Sequence, residues 1–122
     1  MREGAIVVTT DDAPPTWVAS LESAGVDVVT VDRGPDGGVD LHGALGALHA
    51  RDVQALFAEP GPTLTSALVG AGLVDRLVAH VAVSLIGPYG VPRLTPHAEP
   101  PAGAGWQWRT ERTGYLGADL EV

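Results

Sequence analysis

Residues 52–68 of the chain read DVQALFAEPGPTLTSAL, and this stretch decides how the fold is interpreted. The mostly apolar run from Val53 to Ala58 predicts a buried strand. A Glu-Pro-Gly-Pro turn follows, and a helix predicted over residues 62–71 begins at once. At such a junction a glycine lets a ligand approach the main chain, and the first free N–H groups of the helix attract anions such as phosphate. Glu59 follows the strand at the edge where α/β sheets place their ligands.

The same turn has a simpler interpretation as a tight connection between a strand and a helix. Glycine and proline are the ordinary residues of such connections, and a single Gly-Pro turn taken alone favours this alternative. A ligand site therefore needs support from residues outside the turn.

That support comes from two further segments, AGLVDRL at residues 71–77 and LIG at residues 85–87. Together with EPGPTL at residues 59–64, they resemble the RibD C-terminal domain family of riboflavin-biosynthesis pyrimidine reductases. The family pattern is roughly E-G-G-P-T-L, then A-G-L-V-D-E-L, then L-L-G, on a dihydrofolate reductase fold. The resemblance covers nearly all of this chain and corresponds to the C-terminal half of the family domain.

The resemblance implies a NADPH-dependent reductase that acts on a phosphoribosylaminopyrimidine, of the 5-amino-6-(5-phosphoribosylamino)uracil reductase type. This activity would be complete only with the missing N-terminal half of the family domain. It implies that Glu59 faces the substrate or the nicotinamide, and it assigns no catalytic residue. The pyrophosphate would lie against the turn and the adenosine 2′-phosphate beside the end of the first strand. The implied cofactor-binding residues are Thr9, Thr10, Pro60, Gly61, Pro62, Thr63 and Leu64.

Pro60 departs from the family pattern, which has a second glycine at this position. Proline removes an N–H group and adds a ring where the cofactor would pass. Dihydrofolate reductases have a cis peptide at the equivalent turn, and proline makes a cis bond much less costly. We therefore expect a cis or strained Glu59-Pro60 peptide.

Strand and helix alternate three times along the chain, which predicts a parallel sheet with helices on its faces. We expect a single domain, residues 1–122, with an α/β three-layer sandwich that is partly dihydrofolate reductase-like. An antiparallel hairpin turning at Thr113-Gly114 would end it. The predicted helices cover residues 16–24, 40–50 and 62–71, capped at Thr16 and Asp40 and stopped by Gly25 and Gly72. The predicted strands cover residues 5–9, 26–31, 53–58, 77–86, 106–112 and 115–122.

Composition excludes several classes of function. Seven arginines, no lysine and fifteen acidic residues give a net charge of −8, which argues against a nucleic-acid or anionic-membrane surface. The chain has no cysteine and therefore no disulfide or thiolate metal site, which fits a cytoplasmic protein. No apolar run is long enough to span a membrane. The four histidines have no metal-ligand spacing, and no serine lies in a nucleophile elbow.

Several isolated residues have a structural and a functional interpretation. Hydroxyl residues at a strand end, such as Thr9 and Thr10, are also ordinary turn formers. Arg33 could bind the same phosphate, but an exposed loop arginine is the commoner situation. His80 is expected as a buried, hydrogen-bonded imidazole, and Trp106 and Trp108 as core or interface residues.

We find no counterpart of the family's N-terminal motifs, which include a serine-leucine-aspartate-glycine-type strand and a glycine-threonine turn. The run from Val53 to Ala58 would then lack neighbouring strands. We expect a homodimer, or a complex with a chain that supplies the missing half, with an interface that includes residues 77–86 or the Trp106/Trp108 face. The alternative function is a non-catalytic remnant or assembly module that retains the fold.

Overall fold

The computed structural model describes residues 4–82, 84, 87, 90, 94 and 107–122, and these form a small α/β protein. The chain divides into two compact units, Met1–Ala58 and Glu59–Val122. The α/β class predicted from the alternation of strands and helices is confirmed.

The first unit contains a parallel pair of strands and two helices. Strand β1 (Ile6–Thr9) pairs in parallel with strand β2 (Asp27–Thr30), with Val8 opposite Val29. Helix α1 (Pro15–Ser23) connects the two strands, as parallel pairing requires. Helix α2 (Leu41–His49) follows β2. The first two predicted strands and the first two predicted helices are thus confirmed within one or two residues.

The helix ends of this unit show why one predicted cap was wrong. Helix α1 begins at Pro15, because proline at the first helical position has its φ angle preset and needs no N–H partner. The N-cap is therefore Pro14, and Thr16 lies inside the helix. Asp40 caps α2 as predicted, and its carboxylate accepts hydrogen bonds from the N–H groups of His42 at 3.2 Å and Gly43 at 3.0 Å.

Loss of the Asp40 cap should destabilise the first unit. We expect Asp40→Ala to lower the free energy of unfolding by about 1 kcal/mol, because two N–H groups at the start of α2 lose their acceptor. Urea denaturation followed by circular dichroism measures this change. The control is Asp11→Ala, which removes an exposed carboxylate from the turn before α1. Equal urea midpoints for the two variants would contradict the capping role.

The second unit contains one helix and a small antiparallel sheet. Helix α3 (Pro62–Gly70) is the third predicted helix, confirmed within one residue. Strands β3 (His80–Val81), β4 (Gly114–Leu116) and β5 (Asp119–Glu121) form a sheet in the order β3-β5-β4. Ala79 and Val122 extend it with a pair of backbone hydrogen bonds of 2.8 and 2.9 Å.

The C-terminal hairpin is present, but its turn was predicted at the wrong place. β4 and β5 are connected through Gly117 and Ala118, and Gly117 has a φ of +65°, which the tight hairpin turn requires. Gly114 lies within β4 instead of the turn, and residues 107–113 form no strand. Of the long strand predicted over residues 77–86, only His80–Val81 is a strand among the described residues. Residues 83, 85, 86 and 106 lie outside the described part of the chain.

The run from Val53 to Ala58 does not form the predicted strand. Among the described residues, the backbone groups of residues 54–58 have no hydrogen-bond partner. Leu56 is 57% exposed and Phe57 is 81% exposed. A strand needs a neighbour for its N–H and C=O groups, and the described residues place none beside this run. We call residues 53–58 the open segment.

Glu121 of β5 contacts residues of two other segments of the second unit. Its carboxylate accepts a hydrogen bond from Arg112 at 2.6 Å and contacts the Nε2 atom of His80 at 3.2 Å. The prediction of a buried His80 is wrong, because the side chain of this residue is 53% exposed on an edge strand. His80 nevertheless has a hydrogen-bond partner, the Glu121 carboxylate. The contact with His80, followed by the charge of Arg112, lowers the pKa of Glu121 below its ordinary value of 4.5.

This lowered pKa predicts a weak pH dependence of stability. A carboxyl group whose pKa is lower in the folded state stabilises the fold above its unfolded pKa, and this contribution is lost as the pH falls through the folded value. We expect Glu121→Gln to lower the melting temperature slightly at about pH 6 and to have a smaller effect as the pH falls below the ordinary carboxyl range. A pH series of thermal melts, with Glu22→Gln as the control, measures this. A pH-independent difference would contradict the prediction.

Candidate functional site

The Glu-Pro-Gly-Pro turn connects the open segment to helix α3. Glu59 and Gly61 are exposed, and Pro60 is half-buried. The expected cis or strained peptide at Glu59-Pro60 is wrong, since the described residues contain no cis bond and the only non-glycine residue with a positive φ is Asp52. Trans remains the favoured isomer of an X-Pro bond, and the turn reaches α3 through an extended Gly61 with φ −70° and ψ 175°.

The N-terminus of α3 has free hydrogen-bond donors. Gly61 is the N-cap and has no side chain to accept a bond, and Pro62 has no N–H group. The N–H groups of Thr63 and Leu64 have no acceptor among the described residues, whereas Thr65 donates to the Gly61 carbonyl at 3.0 Å. The first turn of α3 therefore offers two backbone donors and the positive end of the helix dipole to an anion.

Two hydroxyl residues that the sequence analysis did not single out support this turn. Thr65 donates its hydroxyl to the carbonyl of Gly61 at 2.9 Å and approaches that of Pro60 at 3.3 Å. Ser66 donates to the Pro62 carbonyl at 2.7 Å. Both side chains are buried, with 9% and 3% exposure. The sequence contains one sign of this support, a pair of hydroxyl residues near the start of the helix. Such residues donate to carbonyl groups four residues earlier.

Gly61 leaves open space above the turn. A Cβ atom added at this residue meets no atom within 4 Å, and its φ of −70° is accessible to any amino acid. The backbone conformation does not require glycine here. Glycine is favoured at an N-cap, and its lack of a side chain also leaves room for a ligand to approach the main chain closely.

Thr9 and Thr10 lie at the carboxyl end of β1, in the first unit. Both are half-buried. The Thr10 hydroxyl donates to Oδ1 of Asp12, and the Nη2 group of Arg33 donates to Oδ2 of the same carboxylate. The hydrogen bond from Thr10, together with the charge of Arg33, lowers the pKa of Asp12. Asp12 therefore carries its negative charge at neutral pH.

A shallow depression of about 490 Å³ adjoins this end of β1. Trp17 of α1, a residue that is 42% exposed, belongs to its lining and supplies an aromatic ring. The lining residues are Thr9, Thr10, Asp12, Ala13, Pro14 and Trp17. Hydroxyl groups, a carboxylate and an aromatic ring are the side chains that recognise a sugar and a base.

The predicted site residues thus fall into one group in each unit. Thr9 and Thr10 belong to Met1–Ala58, and the residues from Glu59 to Leu64 belong to Glu59–Val122. Within its unit, each group is contiguous and accessible. His42 and His49 are exposed, and His97 lies outside the described residues.

Two further searches cover only the described part of the chain. It contains no group of three or more histidine, aspartate or glutamate side chains placed to hold a metal ion. It also contains no helix that is long and apolar enough to cross a membrane.

Comparison with known protein families supports the resemblance that the sequence motifs indicate. A glycine turn at a helix N-terminus is a common place for anions such as phosphate to bind. The profile of the RibD C-terminal domain matches residues 1–121. The chain therefore belongs to the RibD C-terminal domain family.

One similar protein is named as a pyrimidinone phosphate reductase, and two are named as riboflavin biosynthesis proteins. A 2,5-diamino-6-ribosylamino-4(3H)-pyrimidinone 5′-phosphate reductase of Methanothermobacter thermautotrophicus is 33% identical over 82 residues, which cover 67% of this chain and 36% of that protein. Riboflavin biosynthesis protein RibD of Escherichia coli is 39% identical over 51 residues, or 42% of this chain and 14% of that protein. RibD of Chlamydia pneumoniae is 29% identical over 82 residues, or 67% of this chain and 22% of that protein. The chain thus spans well under half of each of these relatives.

Proposed function

We propose that this chain belongs to a NADPH-dependent reductase of a phosphoribosylaminopyrimidine in riboflavin biosynthesis. The observation that carries the proposal is the family match over residues 1–121, which includes a helix N-terminus with two free backbone donors. The named activity of the Methanothermobacter relative supports the substrate class.

Each candidate group, taken by itself, has donors suited to one part of a phosphorylated dinucleotide. The N–H groups of Thr63 and Leu64 would bind the pyrophosphate, because helix N-termini bind phosphate without a net positive charge. Gly61 would allow the phosphate to approach the backbone, since nothing lies within 4 Å of a Cβ atom there. Thr9 and Thr10 would lie beside the adenosine ribose and its 2′-phosphate.

NADPH supplies the hydride in such a reaction, and the protein supplies orientation and electrostatics. In our proposal the turn of α3 fixes the cofactor, and Glu59 is directed to the substrate or the nicotinamide. Glu59 is exposed at the start of this turn and can present its carboxylate to a donor on a bound pyrimidine. Holding the hydride donor and the acceptor in the correct relative orientation accounts for a large part of the rate of such a transfer.

We further propose that both units belong to one family domain with a mostly parallel, dihydrofolate reductase-like sandwich. In that arrangement the open segment is a strand whose neighbours come from outside these 122 residues. Exposed Leu56 and Phe57 support this proposal, because strand edges with apolar side chains are normally paired. A homodimer, or a complex with a second chain, would supply the pairing.

Titration of NADPH and NADH into the purified chain, followed by tryptophan fluorescence, tests cofactor binding. Oxidation of NADPH in the presence of 2,5-diamino-6-ribosylamino-4(3H)-pyrimidinone 5′-phosphate then tests turnover. Saturable NADPH binding is the expected result. Absence of binding to either dinucleotide would instead favour the alternative, a non-catalytic assembly module that retains the fold.

A further inference from the structure

Arg33 and Asp12 form an ion pair at the edge of the parallel strands where a ligand is expected. Arg33 follows β2 and Thr10 follows β1, and the carboxyl ends of adjacent parallel strands share one edge of the sheet. The pair spans 21 positions of sequence and therefore connects the two strand ends. Both side chains are about half exposed, at 48% for Arg33 and 57% for Asp12.

The donors that surround the Asp12 carboxylate are those of a phosphate site. One carboxylate oxygen accepts a hydrogen bond from the Thr10 hydroxyl, and the other accepts one from the Arg33 guanidinium. A second guanidinium nitrogen of Arg33 donates to the carbonyl of Gly37, which holds the side chain in place. A hydroxyl and a fixed guanidinium are also the donors that bind a phosphomonoester. Asp12 therefore occupies the position of an anion.

Space for the remainder of a ligand lies next to this carboxylate. The depression of about 490 Å³ is lined by Asp12, Thr10 and the exposed ring of Trp17. Arg33 is the only arginine among the described residues that forms an ion pair with a residue lining this depression. A ligand would thus place its phosphate on Arg33 and another part of the molecule beside Trp17.

We propose that Arg33 binds a phosphomonoester at this edge and that Asp12 competes with that phosphate for the guanidinium. This inference rests on the proposed function for the identity of the dinucleotide. Asp12 is the internal counter-ion of Arg33, and a ligand phosphate displaces it. Two sources of the phosphate share this chemistry: the 2′-phosphate of NADPH and the ribose 5-phosphate of the substrate.

The test measures the binding of NADPH, NADH and ribose 5-phosphate to three variants of the whole chain. Arg33→Gln should weaken binding of the phosphorylated probe by roughly 10-fold, because a charge-assisted hydrogen bond is lost. Asp12→Asn should strengthen it by roughly 2- to 5-fold, the range expected when an exposed ion pair no longer has to open. Arg33→Gln should leave NADH binding unchanged, because NADH has no 2′-phosphate. In the double variant the gain from Asp12→Asn should disappear.

The matched control is another ion pair among the described residues of the same unit, Arg51 with Asp27 at 2.8 Å. Arg51→Gln and Asp27→Asn should change none of these affinities. Sensitivity of NADPH to Arg33→Gln assigns the phosphate to the cofactor, and sensitivity of ribose 5-phosphate assigns it to the substrate. If Asp12→Asn leaves binding of both phosphorylated probes unchanged or weaker, the proposal is overturned.

Failure of the proposed function is recognised separately. If neither dinucleotide binds any variant, the reductase proposal fails. Phosphate binding by Arg33 is then tested by the NMR resonance of its Nε–H group. A shift of this resonance on addition of inorganic phosphate, made larger by Asp12→Asn, supports an anion site with an internal competitor. No shift in either protein would overturn it.

Discussion

Gly61→Val should weaken NADPH binding by roughly 10- to 150-fold, which corresponds to the loss of one hydrogen bond to a charged group. The valine side chain would fill the space through which a phosphate reaches the N–H groups of Thr63 and Leu64. Nothing in the described structure fills that space, since a Cβ atom at Gly61 meets no atom within 4 Å. Fluorescence titration with NADPH measures the loss.

The fold should tolerate this substitution. An extended residue before proline is a favourable position for valine, and the loss of glycine at an N-cap costs about 1 kcal/mol or less. The matched control is Gly70→Val at the other end of α3, where a Cβ atom also meets nothing within 4 Å. Equal NADPH affinity of the Gly61 and Gly70 variants would place the cofactor elsewhere.

The second large effect concerns assembly. We expect the chain to form a dimer or a complex at micromolar concentration, and Leu77→Asp to raise its dissociation constant by roughly 10-fold or more. Leu77, Val78 and Trp108 are about half exposed and line one groove of about 780 Å³ in the second unit. Charged residues such as Arg76 and Glu111 also line the groove, and exposed apolar side chains rimmed by charged ones are typical of an interface.

Light scattering over a concentration series measures this assembly. Tyr115→Asp is the control, because Tyr115 is 80% exposed on β4 but does not line the groove. A monomeric wild-type chain would contradict the assembly proposal outright. A dimer that Leu77→Asp leaves intact would show that the groove is not its interface.

The local elements of the fold could be predicted because short-range chemistry specifies them. Pro15, Asp40 and Pro62 mark the beginnings of the three helices, and glycines with positive φ follow the ends of α1 and α3. Thr16 was misread as a cap because Pro15 already begins the helix. Such errors displace a boundary and leave the element intact.

Elements that depend on distant partners could not be predicted in the same way. An apolar run indicates that residues 53–58 are suited to a strand, but it contains no information about whether a neighbour is present. The hairpin was misplaced for a related reason. Thr113-Gly114 and Gly117-Ala118 are both acceptable turns, and the pairing of β4 with β5 selects the second.

The candidate site shows the same division between local and distant interactions. The turn from Glu59 to Leu64 could be recognised because its residues are contiguous. The hydroxyl bonds of Thr65 and Ser66 are also local and follow a known helical pattern. The ion pair between Asp12 and Arg33 joins residues 21 positions apart, so only the parallel pairing of β1 and β2 brings it together.

The open segment also has a consequence for handling the protein. Residues 53–58 contain no charge, no proline and no glycine, and windows of this length and composition stack into cross-β aggregates when they are exposed. The residues on either side counter this tendency. Asp52 places a charge and a positive φ before the segment, and Glu59 and Pro60 place a charge and a strand breaker after it. We expect these flanking residues to act as gatekeepers, so that removing their charges favours fibril growth over native assembly.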